Sequence, residues 1–400
     1  MLLKETIQAI VQLQRGELEK RDAGIKRETL SEIDFKSPHA IILSGIRRCG
    51  KSTLLRQLME KQDKQWYYLN FEDPRLINFG LDDFEKLEQV FEEEWGEGND
   101  FFFDEIQNIP HWERYIRQLL DAGKKAAITG SNASLLSREL GTRLTGRHLT
   151  YEIFPFSYKE MLQFTKQKEK ISSFQEYFER GGFPEFLRYQ NVAMLQELFE
   201  DILTRDIIVR HGLKESKTIK ELAIYLLTNS GKEFSYNQLA KVFQAGSTNT
   251  IVSYISHLED SYLLFTITKF DYSYKKQLIN PKKAYAIDVG LARASSLSFS
   301  SDLGRILENM VYLHLRRKYK TINYYRKNKE CDFIVVERGK PTQAVQVCYT
   351  LTEENKEREM AGLQEAMEEL KVDRGIILTY NQEDKIGSIK VMPVWRWMLS

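Results

Sequence analysis

Eight consecutive residues, Gly45-Ile46-Arg47-Arg48-Cys49-Gly50-Lys51-Ser52, follow the pattern G-x-x-x-x-G-K-[ST], with Thr53 next in the chain. They lie between an apolar run, HAIILSG, and a helix-spaced run, STLLRQLMEK. Glycines at those positions let main-chain N–H groups close around phosphate oxygens, and the following helix N-terminus adds positive potential. A lysine at that spacing spans the β and γ groups, and the hydroxyl beside it can ligate Mg²⁺. The stretch Gly45–Thr53 therefore predicts a cradle for the phosphates of a nucleoside triphosphate.

In a second constellation Phe101-Phe102-Phe103 runs into Asp104-Glu105, with Asp104 53 residues after Lys51. Adjacent carboxylates at the end of an apolar strand are costly unless a cation or water network satisfies them. Asp104 is expected to hold Mg²⁺ through water and Glu105 to polarise an attacking water; the alternative is a plain solvated strand end. A third apolar strand, Ala126–Thr129, leads into Gly130-Ser131-Asn132. Ser131 and Asn132 are candidates to meet the γ-phosphate, with Asn132 equally suited to cap a helix starting near Ala133. Arg143 and Arg147, in GTRLTGR, could supply transition-state charge from a neighbouring subunit, or could pair with surface carboxylates.

The elements that must position these residues alternate regularly. Strand HAIILSG, the glycine loop, a helix, strand WYYLNF, the acidic helical run LDDFEKLEQVFEEEW, strand FFFDE, a helix and strand AAITG follow in order. Apolar strands alternating with helices predict a parallel sheet covered on both faces. This α/β domain is assigned residues 1–160, its opening stretch being helical by the spacing of Leu3, Ile7, Ile10 and Val11 and turning polar up to about Asp34. A helical connector, lid-like, occupies 161–213 and contains the breaker cluster Gly181-Gly182-Phe183-Pro184.

The whole chain sets limits on what these parts can do. Its 400 residues allow two to four domains, and 42% hydrophobic residues supply several cores. With 58 Lys and Arg against 57 Asp and Glu, the net charge is +1, so any attraction to nucleic acid must be local. Three cysteines, Cys49, Cys331 and Cys348, offer neither a disulfide framework nor a zinc site, and the six histidines share no ligand spacing. No run approaches the ~18–20 apolar residues of a membrane helix. A cytoplasmic location with no membrane contact is expected.

At SGIRRCGKSTLL, YYLNFEDPRL, FFFDEIQNI, TGSNASLLS, LTGR, PFSYKE and GGFPE, then SYISHLEDSYLLF, KKAYAIDVGL and AVQVCY, the chain resembles the bacterial and archaeal AAA-type ATPases that carry a DUF4143 C-terminal region. The resemblance covers nearly the whole length. It implies ATP binding and Mg-dependent hydrolysis, carried over onto Gly45, Gly50, Lys51, Ser52, Asp104 and Glu105, and coupled to a DNA-binding-like middle and a nuclease-like tail.

In residues 214–290, Ile219, Leu222, Ala223, Leu226 and Leu227 share one helical stripe, Ser235 and Ser247 are placed to cap two more helices, and the ribbon YLLFTITKFDYSYKK follows. A winged helix-turn-helix is the predicted product. Its third helix would present Thr248 and Asn249 to duplex DNA, with Lys275, Lys276, Lys282 and Lys283 clustered toward the wing. Over 214–283 the balance is ten basic to six acidic residues, a net +4. Use of this module for packing or dimer contact, with the lysines merely solvated, is the alternative, because the helix lacks the arginine that reads guanine.

The tail, 291–400, is similar in order to the PD-(D/E)XK nuclease core, a restriction-endonuclease-like α/β fold. Glu308 and Asp332 fill two of its metal-ligand positions, but the E-x-K position reads Gln346-Val347-Cys348. An amide and a thiol replace neither an anionic ligand nor a cation. A degenerate fold kept for docking or DNA contact is expected, a relocated site being the other option. The leading expectation for the chain is an ATPase driving or gating rearrangement of the winged-helix and nuclease-like parts, as a homo-oligomer or with a protein partner. The rivals are a nucleotide-gated switch with negligible turnover and an active DNA nuclease.

Overall fold

The computed structural model describes residues 1–20, 22–131, 146–295 and 302–400. The chain divides into two compact units, Met1–Ile153 and Phe154–Ser400.

The first unit is built on five strands, β1 (Ala40–Gly45), β2 (Trp66–Asn70), β3 (Asp100–Asp104), β4 (Lys125–Gly130) and β5 (His148–Ile153). They pair in the order β2-β3-β4-β1-β5, all parallel. Every residue of β1 and β3 is buried, as strands covered on both faces by helices must be. Phenylalanines dominate the core: Phe84 stacks on Tyr115 at 3.9 Å between centroids and Tyr67 on Phe91 at 4.7 Å. Such pairs combine large apolar burial with favourable ring geometry. The expected helix at the N-terminus runs Lys4–Lys20, buries Ile7, Ile10 and Val11, and bonds through Gln8 and Gln12 to Glu94 of the helix Asp83–Trp95. Strand β5, too mixed in polarity to register as a strand signal, adds the edge beside β1.

The strand order has a direct consequence. Because β4 lies between β1 and β3, its C-terminal end stands between the glycine loop after β1 and the carboxylates ending β3.

The second unit opens with helices Tyr158–Thr165, Ile171–Arg180, Pro184–Tyr189 and Val192–Asp201, the last continuing as a π-helix over Ile202–Val209. Helices Ser216–Thr228, Tyr236–Val242 and Thr248–Asp260 follow, and Ser235 and Ser247 accept from the N–H groups of Gln238 and Thr250, as N-caps should. Strands β6 (Glu233–Phe234), β7 (Leu264–Thr268) and β8 (Lys282–Ala286) make an antiparallel sheet in the order β6-β8-β7. The aromatic ribbon is not continuous strand: Tyr274–Ile279 turns into a short helix with no buried residue. Lys282 and Lys283 depart from expectation too, both buried within β8 instead of exposed toward a wing.

The remainder carries the helix Leu303–Lys318, then β9 (Thr321–Arg326), β10 (Glu330–Glu337), β11 (Lys340–Cys348), the helix Glu353–Leu370, β12 (Gly375–Thr379), β13 (Asp384–Ile386) and β14 (Ile389–Pro393). These form a mixed sheet in the order β13-β14-β12-β11-β10-β9. The three-stranded sheet is tied to the helix Leu303–Lys318 by a side chain and to β9 by the main chain. Asn309 behaves as a piece of strand, accepting from Ala286 N at 2.8 Å and donating to Ala286 O at 3.0 Å, while Phe270 N donates to Tyr324 O at 2.7 Å. Among the described residues no helix is long and apolar enough to cross a membrane.

Candidate nucleotide site

The loop from Gly45 to Ser52 leaves the buried end of β1 and enters the helix Lys51–Glu60. Gly50 takes φ +99°, which side chains rarely adopt, and a Cβ there would come within 2.8 Å of the Arg27 guanidinium. Arg27 is itself buried and donates to the carbonyl of Cys49 at 2.8 Å. Its segment is fastened by Gln57, which donates to the carbonyls of Ala23 and Ile25 and accepts from Arg27 N. Ile46 and Cys49 are fully buried beneath the loop, Arg47 reaches Glu72 at 3.3 Å, and Arg48 has φ +63°. Ser52 and Thr53 occupy the first helical turn, as expected.

Lys51 is 4% exposed and folds back on its own loop, donating to the carbonyls of Gly45 and Ile46 at 3.1 Å each. Its ammonium stands 3.8 Å from Glu105 Oε1. Asp104 is buried, and burial followed by the neighbouring Glu105 charge pushes its carboxyl up to about 6, against hydrogen bonds from Thr129 and Ser52 and the Lys51 charge. Glu105 adopts φ +52°, and its Oε2 accepts from the Gln107 amide.

Thr129, at the end of β4, belongs to neither sequence motif. Its hydroxyl donates to Asp104 Oδ1 and accepts from Glu105 N at 2.9 Å, so one side chain fixes both carboxylate residues. The signal available was its position one residue before Gly130, on the strand that the topology inserts between loop and carboxylates. Just beyond it, the Ser131 hydroxyl is buried without a hydrogen-bond partner among the described residues, and so is Gln107 Oε1. Orphaned buried groups of this kind cost about 1–3 kcal/mol each.

Asn132 and Arg143 lie outside the described residues. Arg147 pairs with Asp121 and accepts through its carbonyl from Ala40 N, at the opposite end of β1 from the loop. Five residue steps of strand place it roughly 16 Å from its own Gly45. Within one chain it does not reach the cradle. In the second unit, Asn249, Lys275 and Lys276 are exposed, whereas the Thr248 hydroxyl donates to Asn237 at 2.9 Å.

Residues 37–162 match an AAA domain family, 171–302 a domain of unknown function, DUF8612, and 303–397 a domain of unknown function, DUF4143. The middle segment thus carries a family of its own, distinct from DUF4143. Uncharacterized protein MJ1544 of Methanocaldococcus jannaschii is 36% identical over 100% of this chain and 97% of its own length. An uncharacterized protein of Haemophilus influenzae is 29% identical, covering 94% of this chain and 99% of its own. Among solved structures, the Walker-type ATPase PABY2304 of Pyrococcus abyssi shares 16% identity over 67% of this chain and 93% of that one, with a TM-score of 0.41. Cdc6p from Pyrobaculum aerophilum shares 15% over 64% of this chain and 88% of that one, with a TM-score of 0.30. By the end-to-end identity with its archaeal relative and the domains matched in sequence, the chain belongs to the family of AAA-domain proteins that end in DUF4143.

Proposed function

We propose that the first unit binds ATP with Mg²⁺ and hydrolyses it. The observation that carries this is the convergence of Lys51, Ser52, Asp104, Glu105 and the orphaned Ser131 hydroxyl at the ends of three adjacent strands and one helix. Lys51 would exchange its two carbonyl acceptors for β and γ oxygens, a gain because a charge-assisted bond to phosphate is roughly twice as strong as a neutral one. Ser52 and Asp104 would hold Mg²⁺; both Asp104 and Ser52 are already in one hydrogen-bonded network, which fits a metal held partly through water. When bound, the ion neutralises charge developing on the phosphates. Glu105 orients the attacking water, and Ser131 donates to the γ-phosphate or to that water. Arg147 completes the site only from a second copy of the chain.

The residue division 1–160, 161–213, 214–290 and 291–400 belongs to the same proposal, with the middle segment as a winged helix-turn-helix meeting duplex DNA through Asn249, Lys275 and Lys276. A second reading, a nucleotide-gated switch with negligible turnover, is favoured by one observation: the Glu105 carboxylate is held between the Gln107 amide and Lys51. Single-turnover phosphate release separates them. The hydrolase requires release by the wild type and its loss in Lys51→Ala and Glu105→Gln, with ATP retained by the latter. A wild type that retains ATP and releases no phosphate, together with a Gln107→Ala variant that does release it, supports the switch.

A further inference from the structure

Three carboxylates of the second unit gather beside one lysine. Lys283, 2% exposed in β8, places its ammonium 2.8 Å from Glu330 Oε1, 3.2 Å from Glu308 Oε1 and 3.7 Å from Asp332 Oδ1. Tyr285, two residues along the same strand face, donates to the same Glu308 oxygen at 2.7 Å. Asp332 Oδ2 accepts from Val347 N at 2.8 Å, and Gln346 bridges Asp332 N to Glu359 Oε2. A cleft of about 430 Å³ opens alongside, with Glu330, Asp332, Gln346 and Glu359 in its wall.

We propose that Lys283 is the resident cation of this carboxylate centre, standing where a divalent metal would otherwise be required, so that the centre is complete without metal and Glu308, Glu330 and Asp332 become a metal site only when the ammonium is removed.

An ammonium carries three donors, and here three carboxylates converge on it. Buried carboxylates facing one another without a cation would be driven to protonate, and buried lysine without a counter-charge would be driven to lose its proton. Each solves the other's problem. Burial by itself would lower the lysine, yet Glu308, Asp332 and Glu330 outweigh it and hold Lys283 above its usual range, while burial and the Glu308 charge raise Asp332. The arrangement also accounts for Gln346 and Cys348. With the positive charge delivered from β8, an anion at 346 and a cation at 348 are not needed, and Gln346 is spent on the bond to Glu359 while Cys348 lies against the carbonyl of Thr350. Lys283 comes from the sheet of the middle segment and the acids from the helix Leu303–Lys318 and β10, so the ammonium also fastens one segment to the other.

The test uses the full chain without nucleotide. Wild type titrated with Mn²⁺ and followed by electron paramagnetic resonance should show no bound ion that Glu308→Gln/Asp332→Asn removes. In Lys283→Met the thermal midpoint should fall and then recover as Mn²⁺ is added, saturably, while the wild-type midpoint stays flat over the same range. Adding Glu308→Gln and Asp332→Asn to Lys283→Met should restore much of the midpoint and abolish the metal response. A wild-type Mn²⁺ site lost in the Glu308→Gln/Asp332→Asn chain overturns the proposal, and that result does not depend on any lysine variant folding. A Lys283→Met chain as stable as wild type, or destabilised with no recovery by Mn²⁺, overturns it as well.

Discussion

Two clusters in this molecule pair a buried lysine with carboxylates, and they are built for opposite ends. In the first unit Lys51 rests on neutral carbonyls, with Glu105 at 3.8 Å, and the neighbouring Ser131 hydroxyl is without a partner among the described residues. In the second, Lys283 is closed in by three acids, and Tyr285 and the main chain take up remaining acceptor sites on them. On the proposed reading, the first cluster leaves its charges addressable by a ligand. The second spends them on itself. A lysine beside acids is therefore not evidence of a site until the partners of each group are counted.

The largest effect that would sharpen this contrast is on turnover. Glu105→Gln should lower the single-turnover rate of phosphate release by about 10²–10⁴-fold, the range of a positioned general base. Glu330→Gln, in the closed cluster, should leave that rate within about twofold. Equal losses in both would break the distinction.

The difference was only half visible in the sequence, for a physical reason. The phosphate loop is written in eight neighbouring residues and its acids in an adjacent pair, because a loop, a helix start and a strand end are local structures. Lys283, Glu308, Glu330 and Asp332 come from a strand, a helix and a second strand, and only tertiary packing brings them together. Lys282 and Lys283 look like the rest of a basic ribbon, since nothing local marks a lysine that will be neutralised from 25 residues away. Thr129 is locally unmarked in the same way: its role follows from β4 lying between β1 and β3, a matter of strand order. Period and polarity did carry the parallel sheet, the paired Ser caps at 235 and 247, and the helices of 171–209. The mixed polarity of His148–Ile153 hid β5, and the aromatic, β-prone composition of the ribbon hid the helix Tyr274–Ile279.

Asp288 gives a second closed carboxylate with a pH signature. It accepts from Gly182 N at 2.7 Å and Leu291 N at 2.9 Å, and Gly181, at φ +74°, has no room for a Cβ against it. Burial pushes it up to about 6, with those backbone bonds opposing. The folded chain thus holds this proton more tightly than the unfolded one. The associated stability is full below the ordinary carboxylate value and is lost as pH rises through about 6, a change on the order of 3 kcal/mol. Denaturant titrations at pH 4 and pH 7 should show a smaller difference for Asp288→Asn than for wild type; identical differences would contradict the assignment.

Smaller again is Thr129→Val, which removes the hydroxyl that ties Asp104 to Glu105 N. About 1–3 kcal/mol of stability should be lost, and MgATP affinity should weaken along with it. A variant that loses stability at unchanged affinity would make Thr129 a packing residue of the open cluster only. Smallest is the exposed pair on the short helix: Lys275→Ala with Lys276→Ala should weaken duplex binding and reduce the salt slope of log K by about one to two. No duplex affinity at low salt in the wild type would remove DNA from the proposal.

Whether the cluster around Lys51 is open to a triphosphate is decided by calorimetric titration of the 400-residue chain with ATP in the presence of Mg²⁺. The expected result is saturable uptake at one nucleotide per chain that Lys51→Ala weakens by about 10- to 10²-fold, the ~1.5–3 kcal/mol of a hydrogen bond to a charged group. Absence of binding heat in the wild type, or equal uptake by Lys51→Ala, would contradict it.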